Sequence, residues 1–423
     1  MLDLRAIRDD PAAARAALGR RGAAEQLDEL LALDARRREL LPETEGRRAQ
    51  QNQASEEIAA RKRAGEDATE LIERMKAVSA ELKEMQAELA EVEQRRDALA
   101  ATLPNFPHPE APGGGEEDAV VLREVGEPPT FEFEVRDHLE LGVEHGWIDV
   151  EQAAAASGSR FAYLLGDLVM VELALIRFAV DLLRAEGFEP VVPPVLVREG
   201  PLYGTGYFPA EREMIYAVER DELFLIGTSE VPLGALHADQ ILEAGELPRR
   251  YAGISTCFRR EAGAAGKDTR GIFRVHQFEK VEMFSFVEPD GSGAEHERIL
   301  AIEERILSAL EIPYRVVEIA IGDLGAPAAR KFDCEAWIPS QDRYREVTSC
   351  SNTTDYQARR LGVRFRPEPD TAPEVLHTLN GTATAVGRTL IALIENGQQA
   401  DGSVVLPAAL IEAGAPERIG DSG

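Results

Sequence analysis

Two short stretches are rich in arginine. Thr256-Cys257-Phe258-Arg259-Arg260-Glu261 and Phe273-Arg274-Val275-His276-Gln277-Phe278-Glu279-Lys280-Val281-Glu282 flank a glycine-containing loop that runs through Arg270. Their composition reads as strand, loop, strand, with arginine in all three parts. A planar guanidinium can bridge two oxyanions, so the pattern suits chemistry on phosphate and carboxylate groups. Within the loop, Gly263-Ala264-Ala265-Gly266-Lys267-Asp268-Thr269 has the outline of a phosphate loop. Glu261, however, stands where the first glycine of GxxxxGK[ST] belongs, and Asp268 follows Lys267 in place of Ser or Thr, which excludes that motif. The three cysteines, Cys257, Cys334 and Cys350, lack CxxC spacing, so neither a zinc knuckle nor a disulfide scaffold is expected.

Taken whole, Thr256 to Glu282 resembles motif 2 of the class II aminoacyl-tRNA synthetases in its seryl form. Gly187-Phe188-Glu189-Pro190, running to Pro193-Pro194, resembles motif 1. His377-Thr378-Leu379-Asn380-Gly381-Thr382 with Ala385-Val386-Gly387-Arg388-Thr389-Leu390 resembles motif 3. Thr228-Ser229-Glu230 is similar to the family's serine-binding loop, and Glu346-Val347-Thr348-Ser349 to its ATP and metal segment. The likeness is ordered and covers essentially the whole chain. It implies a ligase that activates L-serine with ATP as the adenylate and transfers it to tRNA(Ser), with the selenocysteine tRNA as a further candidate acceptor.

The reaction makes sense of the residues. The carboxylate of serine is already ionised at neutral pH, so its attack on the α-phosphate needs alignment and charge neutralisation and no general base. By resemblance Arg259 holds the α-phosphate and the carboxylate, and with Arg388 forms the catalytic pair. Adenine needs flat faces and an edge acceptor. Phe278 and Arg388 are implied as the sandwich, Glu261 as the acceptor and Val275 as a backbone contact. Arg260, Val347 and Thr348 complete the implied ATP set. Glu346 and Ser349 match the family's Mg2+ ligands, and oxygen donors suit that hard cation. Thr228 and Glu230 are implied to receive the serine ammonium, and Ser229 between them belongs to the same serine-binding loop. Glu282 and Thr382 are the candidates for its hydroxyl, which a pocket must satisfy with polar groups that alanine would leave unpaired. Thr382 stands where many family members carry serine, and the hydroxyl survives the change. His276 is read as structural, since the chemistry does not demand it.

These side chains need a scaffold, and the chain is long enough for two domains. Leu71, Met75, Val78, Leu82, Met85, Leu89, Val92, Arg96 and Leu99 follow heptad spacing, broken only by Arg96. With the helix formers from about Glu25 to Arg63 and the turn signal Gly65-Glu66-Asp67, they predict an antiparallel coiled-coil arm over residues 1–103. If helical throughout, Asp28 to Arg63 would extend roughly 50 Å. Pro42 is expected to kink or interrupt the first arm helix. A Pro/Gly-rich linker follows over 104–118, and residues 119–423 are expected to form the class II catalytic domain. The predicted class is therefore α+β, an arm followed by an antiparallel sheet flanked by helices.

Lys plus Arg number 47 against 76 Asp plus Glu, a net charge of −29, so an RNA partner must meet a local basic patch. Arg61, Lys62 and Arg63 beside the turn, with Arg47 and Arg48 along the same helix, provide it. Neither a signal peptide nor a membrane span is legible, and a cytoplasmic location fits. Besides serine, ATP and tRNA, a homodimer partner is implied by motif 1, and no DNA or membrane partner is expected. Synthetases for threonine, proline or glycine typically append an anticodon-binding domain, for which too little chain follows Gly397. An amino-acid:carrier-protein ligase typically lacks the long arm. A coiled-coil interaction protein with a dead core would be expected to lose Arg259, Glu282 or Arg388, and all three are present.

Overall fold

The computed structural model describes residues 1–262, 268 and 270–420. Most of the Gly263–Thr269 segment, and with it the excluded phosphate loop, lies outside the described residues. The chain divides into two compact units, Leu2–Leu103 and Pro104–Gly423, the second also taking Met1.

In the first unit α1 (Leu4–Asp9) and α2 (Pro11–Gly19) start on aspartate caps, Asp3 and Asp10, whose carboxylates accept backbone N–H groups of the first turn. The long helices α3 (Ala24–Ala64) and α4 (Thr69–Thr102) pair as an antiparallel hairpin. At 1.5 Å per residue they span about 60 and 50 Å. Gly65, at φ 74°, ends α3 in the left-handed conformation, and Asp67 Oδ1 accepts from the Thr69 N–H at 2.9 Å to begin α4. Two helices alone cannot enclose a seam, so of the nine heptad positions only Leu82 is fully buried. Interhelical ion pairs supplement it: Arg36–Glu88 at 2.6 Å, Arg37–Glu93 at 2.8 Å, Arg47–Glu81 at 3.3 Å and Arg95–Glu29 at 3.3 Å. The expected interruption at Pro42 does not occur, because α3 runs through it. Pro42 and Arg38 are both exposed, so water can take the Arg38 carbonyl that the missing N–H leaves free.

The second unit is built on an eight-stranded sheet. Its strands are β1 (Val120–Val125), β2 (Glu189–Val191), β3 (Arg249–Phe258), β4 (Gln277–Val287), β5 (Tyr314–Glu318), β6 (Arg330–Ile338), β7 (Arg343–Thr354) and β8 (His377–Ala385), in the spatial order β1-β5-β6-β7-β8-β4-β3-β2. All pairs are antiparallel except β2 with β3. Edge strand β2 has three residues, one of them Pro190, and edge strand β1 breaks register between Val121 and Arg123. Among its helices are α5 (Asp167–Ala185), α6 (Glu230–Gly234), α7 (Ser292–Ala309), α8 (Tyr356–Leu361) and α9 (Val386–Gly397). Apolar residues of α5, α7 and α9, such as Leu175, Ile299 and Leu390, join Met283, Phe332 and Leu379 of the strands in one continuous core. The stretch after Pro104 is tied into this unit: Asn105 donates from Nδ2 to the Thr353 carbonyl at 2.8 Å and from its N–H to that of Ala326 at 2.8 Å.

Candidate active site

Alternation along β4 sends Val281 and Met283 into the core and leaves Phe278, Lys280 and Glu282 on the opposite face, where all three line cavities. Glu282 pairs directly with Thr382 on β8, and the next pair is Val281 with Thr384, so Ala383 is an extra, unpaired residue. This bulge turns Thr382 toward the cavity and Thr384 away, where it meets Thr389 at 3.0 Å. A second bulge leaves Val347 unpaired, since Glu335 pairs with Glu346 and Cys334 with Thr348. Glu346 and Ser349, three apart, would face opposite ways on a regular strand. The bulge brings both to one cavity while Thr348 turns back to donate to Glu303 Oε2 at 2.9 Å.

A cavity of about 230 Å3 is lined by Glu230, Arg259, Lys280, Glu282, Ser349 and Asn380 among others. Glu230 is held on both oxygens: Oε1 accepts from Gln357 Nε2 of α8 at 2.7 Å and Asn380 Nδ2 at 2.9 Å, and Oε2 from the Tyr207 hydroxyl at 3.0 Å. Burial first, then the charge of Glu282, pushes the Glu230 carboxyl up to about 7. Glu282 is buried, touches the Lys280 ammonium and accepts from the Thr382 hydroxyl, and burial raises its pKa too. Lys280 also donates to Thr228 Oγ1 at 3.2 Å. The result is a small chamber walled by two carboxylates, a lysine and amide donors, matched to a compact zwitterion with a hydroxyl.

The adjoining cavity, of about 390 Å3, shares Arg259, Lys280, Lys331 and Ser349 with the first, and its lining also includes Glu261, Val275, Phe278, Glu346, Val347, Thr348, Thr382 and Arg388. Arg259 stands where the two meet. Its Nε donates to the Gly227 carbonyl at 3.1 Å, and its guanidinium lies 5.4 Å from the centre of the Phe278 ring. Glu261 accepts from Arg274 Nη1 at 2.6 Å. Arg388, from the first turn of α9, reaches the Glu346 carbonyl at 3.1 Å and its carboxylate at 3.3 Å. Burial works to raise the Glu346 pKa, but Arg388, Lys331 and Arg259 outweigh it and hold the carboxyl down at about 2. Among the described residues no group of three His, Cys, Asp or Glu could hold a metal. One ionised carboxylate and one hydroxyl facing a polyanion cavity do fit Mg2+, which keeps much of its water and shares phosphate oxygens.

Three of the implied contacts, Ser229, Arg260 and Thr228, line neither cavity. Ser229 is fully buried and faces the Gly253 carbonyl of β3 at 3.5 Å, in space that a Cβ on Gly253 would fill. The Arg260 guanidinium stands 5.7 Å over the Tyr216 ring and lines neither cavity. Thr228 is reached only through Lys280 and Glu230, whose N–H donates to its hydroxyl at 3.3 Å. His276 donates from Nδ1 to the Arg259 carbonyl at 2.9 Å, which fixes backbone. The three cysteines are buried and free. Sequence reading assigned no role to Lys280, Lys331, Asn380, Tyr207 or Gln357. The first is two residues before Glu282 and Asn380 two before Thr382, so strand alternation carried a signal for both. Tyr207 and Gln357 come from distant segments and left none.

Comparison with known proteins shows the family. Residues 216–397 match the family model of the tRNA synthetase class II core domain (G, H, P, S and T), and residues 1–107 that of the seryl-tRNA synthetase N-terminal domain. The chain is 52% identical over 412 residues to the serine–tRNA ligase of Acidothermus cellulolyticus, covering 97% of each. It is 49% identical over 422 residues to that of Rubrobacter xylanophilus, covering 99% of each. Among solved structures, that of seryl-tRNA synthetase from Pyrococcus horikoshii complexed with ATP superposes with a TM-score of 0.91 at 42% identity, over 99% of both chains. The cytoplasmic serine–tRNA ligase of Naegleria fowleri in complex with AMP superposes with a TM-score of 0.85 at 32% identity, over 98% of this chain and 96% of that one.

Proposed function

The chain belongs to the seryl-tRNA synthetases and is a serine–tRNA ligase with a class II core, and from that premise we propose that the two joined cavities divide the adenylation reaction between them. The smaller takes serine and the larger ATP. The observation that carries this reading is the position of Arg259 on the wall common to both. There a guanidinium can neutralise the serine carboxylate and the α-phosphate as they close. The carboxylate oxygen attacks phosphorus, the bond to the bridging oxygen breaks, and pyrophosphate leaves. Arg259 stabilises charge that builds on the α-phosphate, Arg388 and Phe278 bracket adenine, and Lys280, in contact with Glu282, opposes the burial that raises its pKa and holds it in place as a partner for the serine hydroxyl. Mg2+ held by Glu346 and Ser349 would supply charge neutralisation on the phosphates. In the second step a terminal ribose hydroxyl of tRNA attacks the seryl carbonyl and AMP departs. No helix among the described residues is long and apolar enough to cross a membrane, and a cytoplasmic enzyme is our reading.

Glu230 provides the test. Its carboxylate is assigned to the serine ammonium, yet in the free enzyme it titrates at about 7. Below that pH the free enzyme carries a proton that serine binding must displace, while the substrate ammonium stays charged. Serine kcat/KM in pyrophosphate exchange is therefore expected to fall as pH drops through 7, approaching tenfold per unit, and to level off above it. Glu230→Gln is expected to bind serine weakly and to flatten that profile. A parental profile flat from pH 6 to 8 would show that Glu230 does not titrate in that range, and a Glu230→Gln enzyme with the parental serine KM would remove Glu230 from the ammonium site.

We also propose a homodimer. Met170 and Leu173 of α5 are 49% and 55% exposed and Val192, just past β2, is 80% exposed, apolar surface on the motif 1 segment and on the helix before it that a second copy would cover. Sedimentation is expected to give the dimer mass, and Leu173→Arg to yield inactive monomer. A fully active parental monomer would refute the proposal.

A further inference from the structure

Phe273 carries two cations on one ring. The Arg345 guanidinium lies 3.9 Å from its centroid and that of Arg388 4.8 Å. The three come from separate elements: Arg345 from β7, Arg388 from α9, and Phe273 from the segment leading into β4. Phe273 itself is 7% exposed and bounds the larger cavity beside Arg388. Its backbone has little freedom. The neighbouring Ile272 N–H donates to His138 Nε2 at 3.3 Å, and the other ring nitrogen of His138 sits 2.9 Å from the buried Glu395 carboxylate. At Gly271, φ 70°, an added Cβ would meet the His138 ring at 2.0 Å, so only glycine fits there.

Among the described residues Arg388 otherwise has only edge contacts, the Glu346 carbonyl at 3.1 Å and carboxylate at 3.3 Å. Both act along one side of the fork and leave it free to swing about the chain that carries it. The aromatic ring adds a third, non-collinear restraint at the centre of the guanidinium. Arg345 is fixed in turn by Asp268 at 2.8 Å, so the ring is shared with a cation that is itself anchored.

We propose that Phe273 is a positioning residue for adenylation: its π face holds the Arg388 guanidinium in the plane against which adenine stacks, with Arg345 completing the assembly. This rests on the assignment of Arg388 to adenine. The role is electronic as well as steric, because a guanidinium over a ring is attracted by the ring quadrupole.

Fluorinated phenylalanines placed at position 273 in the full-length enzyme test it, since fluorine drains the π face with little change of size. From phenylalanine through the monofluoro and trifluoro to the pentafluoro ring, the KM for ATP in serine-dependent exchange is expected to climb stepwise, to about three- to tenfold at the end of the series. The KM for serine and the melting temperature are expected to stay near those of the parent. Phe273→Tyr is expected to match the parent, and Phe273→Leu, which keeps an apolar filling, to resemble the pentafluoro enzyme. An ATP KM that stays flat across the fluorinated series overturns the proposal. Arg388→Ala separates the two layers: a raised ATP KM there with a flat fluorine series sinks the Phe273 role alone, and an unchanged one sinks the adenine assignment as well.

Discussion

Arg259→Ala is expected to lower serine-dependent pyrophosphate exchange by about 10²- to 10³-fold, the scale seen when one preorganised donor to a developing oxyanion is removed. The side chain has no substitute where it stands. Its Nε is tied to the Gly227 carbonyl at 3.1 Å, its own N–H to the His276 carbonyl at 3.0 Å, and Phe278 lies beside its guanidinium. Lys280 and Lys331 line the same two cavities, but each is already committed to a carboxylate, Glu282 and Asp333 respectively. Arg259→Lys is expected to recover only part of the rate, because an ammonium is a point charge and cannot bridge two oxyanions in a plane. The melting temperature should change far less than the rate. An alanine variant that folds and exchanges pyrophosphate within fivefold of the parent would take Arg259 out of the chemistry.

Removing the hairpin divides the two half-reactions. Deletion of Leu27 to Leu99 with a short Gly-Ser bridge is expected to leave pyrophosphate exchange near normal, because both cavities are lined wholly by residues of the second unit. Charging of tRNA is expected to collapse, with kcat/KM for tRNA falling by about 10³-fold or more if the arm neutralises several phosphates at physiological salt. The basic residues of α3 are unequal candidates for that task. Arg47 is paired with Glu81 at 3.3 Å and Arg61 with Glu57 at 2.8 Å, whereas Arg48, Lys62 and Arg63 have no ion-pair partner among the described residues, Arg63 donating instead to the Ala59 carbonyl at 3.2 Å. Alanine at Arg48 and Lys62 should therefore weaken binding more than alanine at Arg47, and reduce the salt slope by about one for each phosphate no longer neutralised. A folded, armless enzyme that charges sub-saturating tRNA as fast as the parent would end this account of the hairpin.

The α+β class and the helical hairpin were legible because they rest on local signals, a heptad period and paired strands around a glycine-rich loop. Pro42 misled because the cost of proline depends on whether the freed carbonyl is exposed, which sequence does not report. Thr228-Ser229-Glu230 looks like one polar unit, yet only Glu230 reaches the cavity, and it is set there by Tyr207, Gln357 and Asn380 from three other segments. The bulges at Val347 and Ala383 were equally hidden, although they decide which neighbours of Glu346 and Thr382 face the substrate. An extra residue in a strand is visible only against its partner.

The two edges of the large sheet bear on how readily one molecule could aggregate with another. An open edge offers a row of free N–H and C=O groups on which another chain can build, and exposed Val120, Val121 and Leu122 would make β1 an attractive template. Its register break at Val121/Arg123 spoils the regular spacing that such growth requires, and Arg123 and Glu124 put charge on the same strand. At the far side β2 offers only three residues, and Pro190 withholds one donor while Pro193 and Pro194 bar its extension. A sheet of eight strands thus ends at both margins in segments whose own backbone offers a poor template for open-ended strand addition.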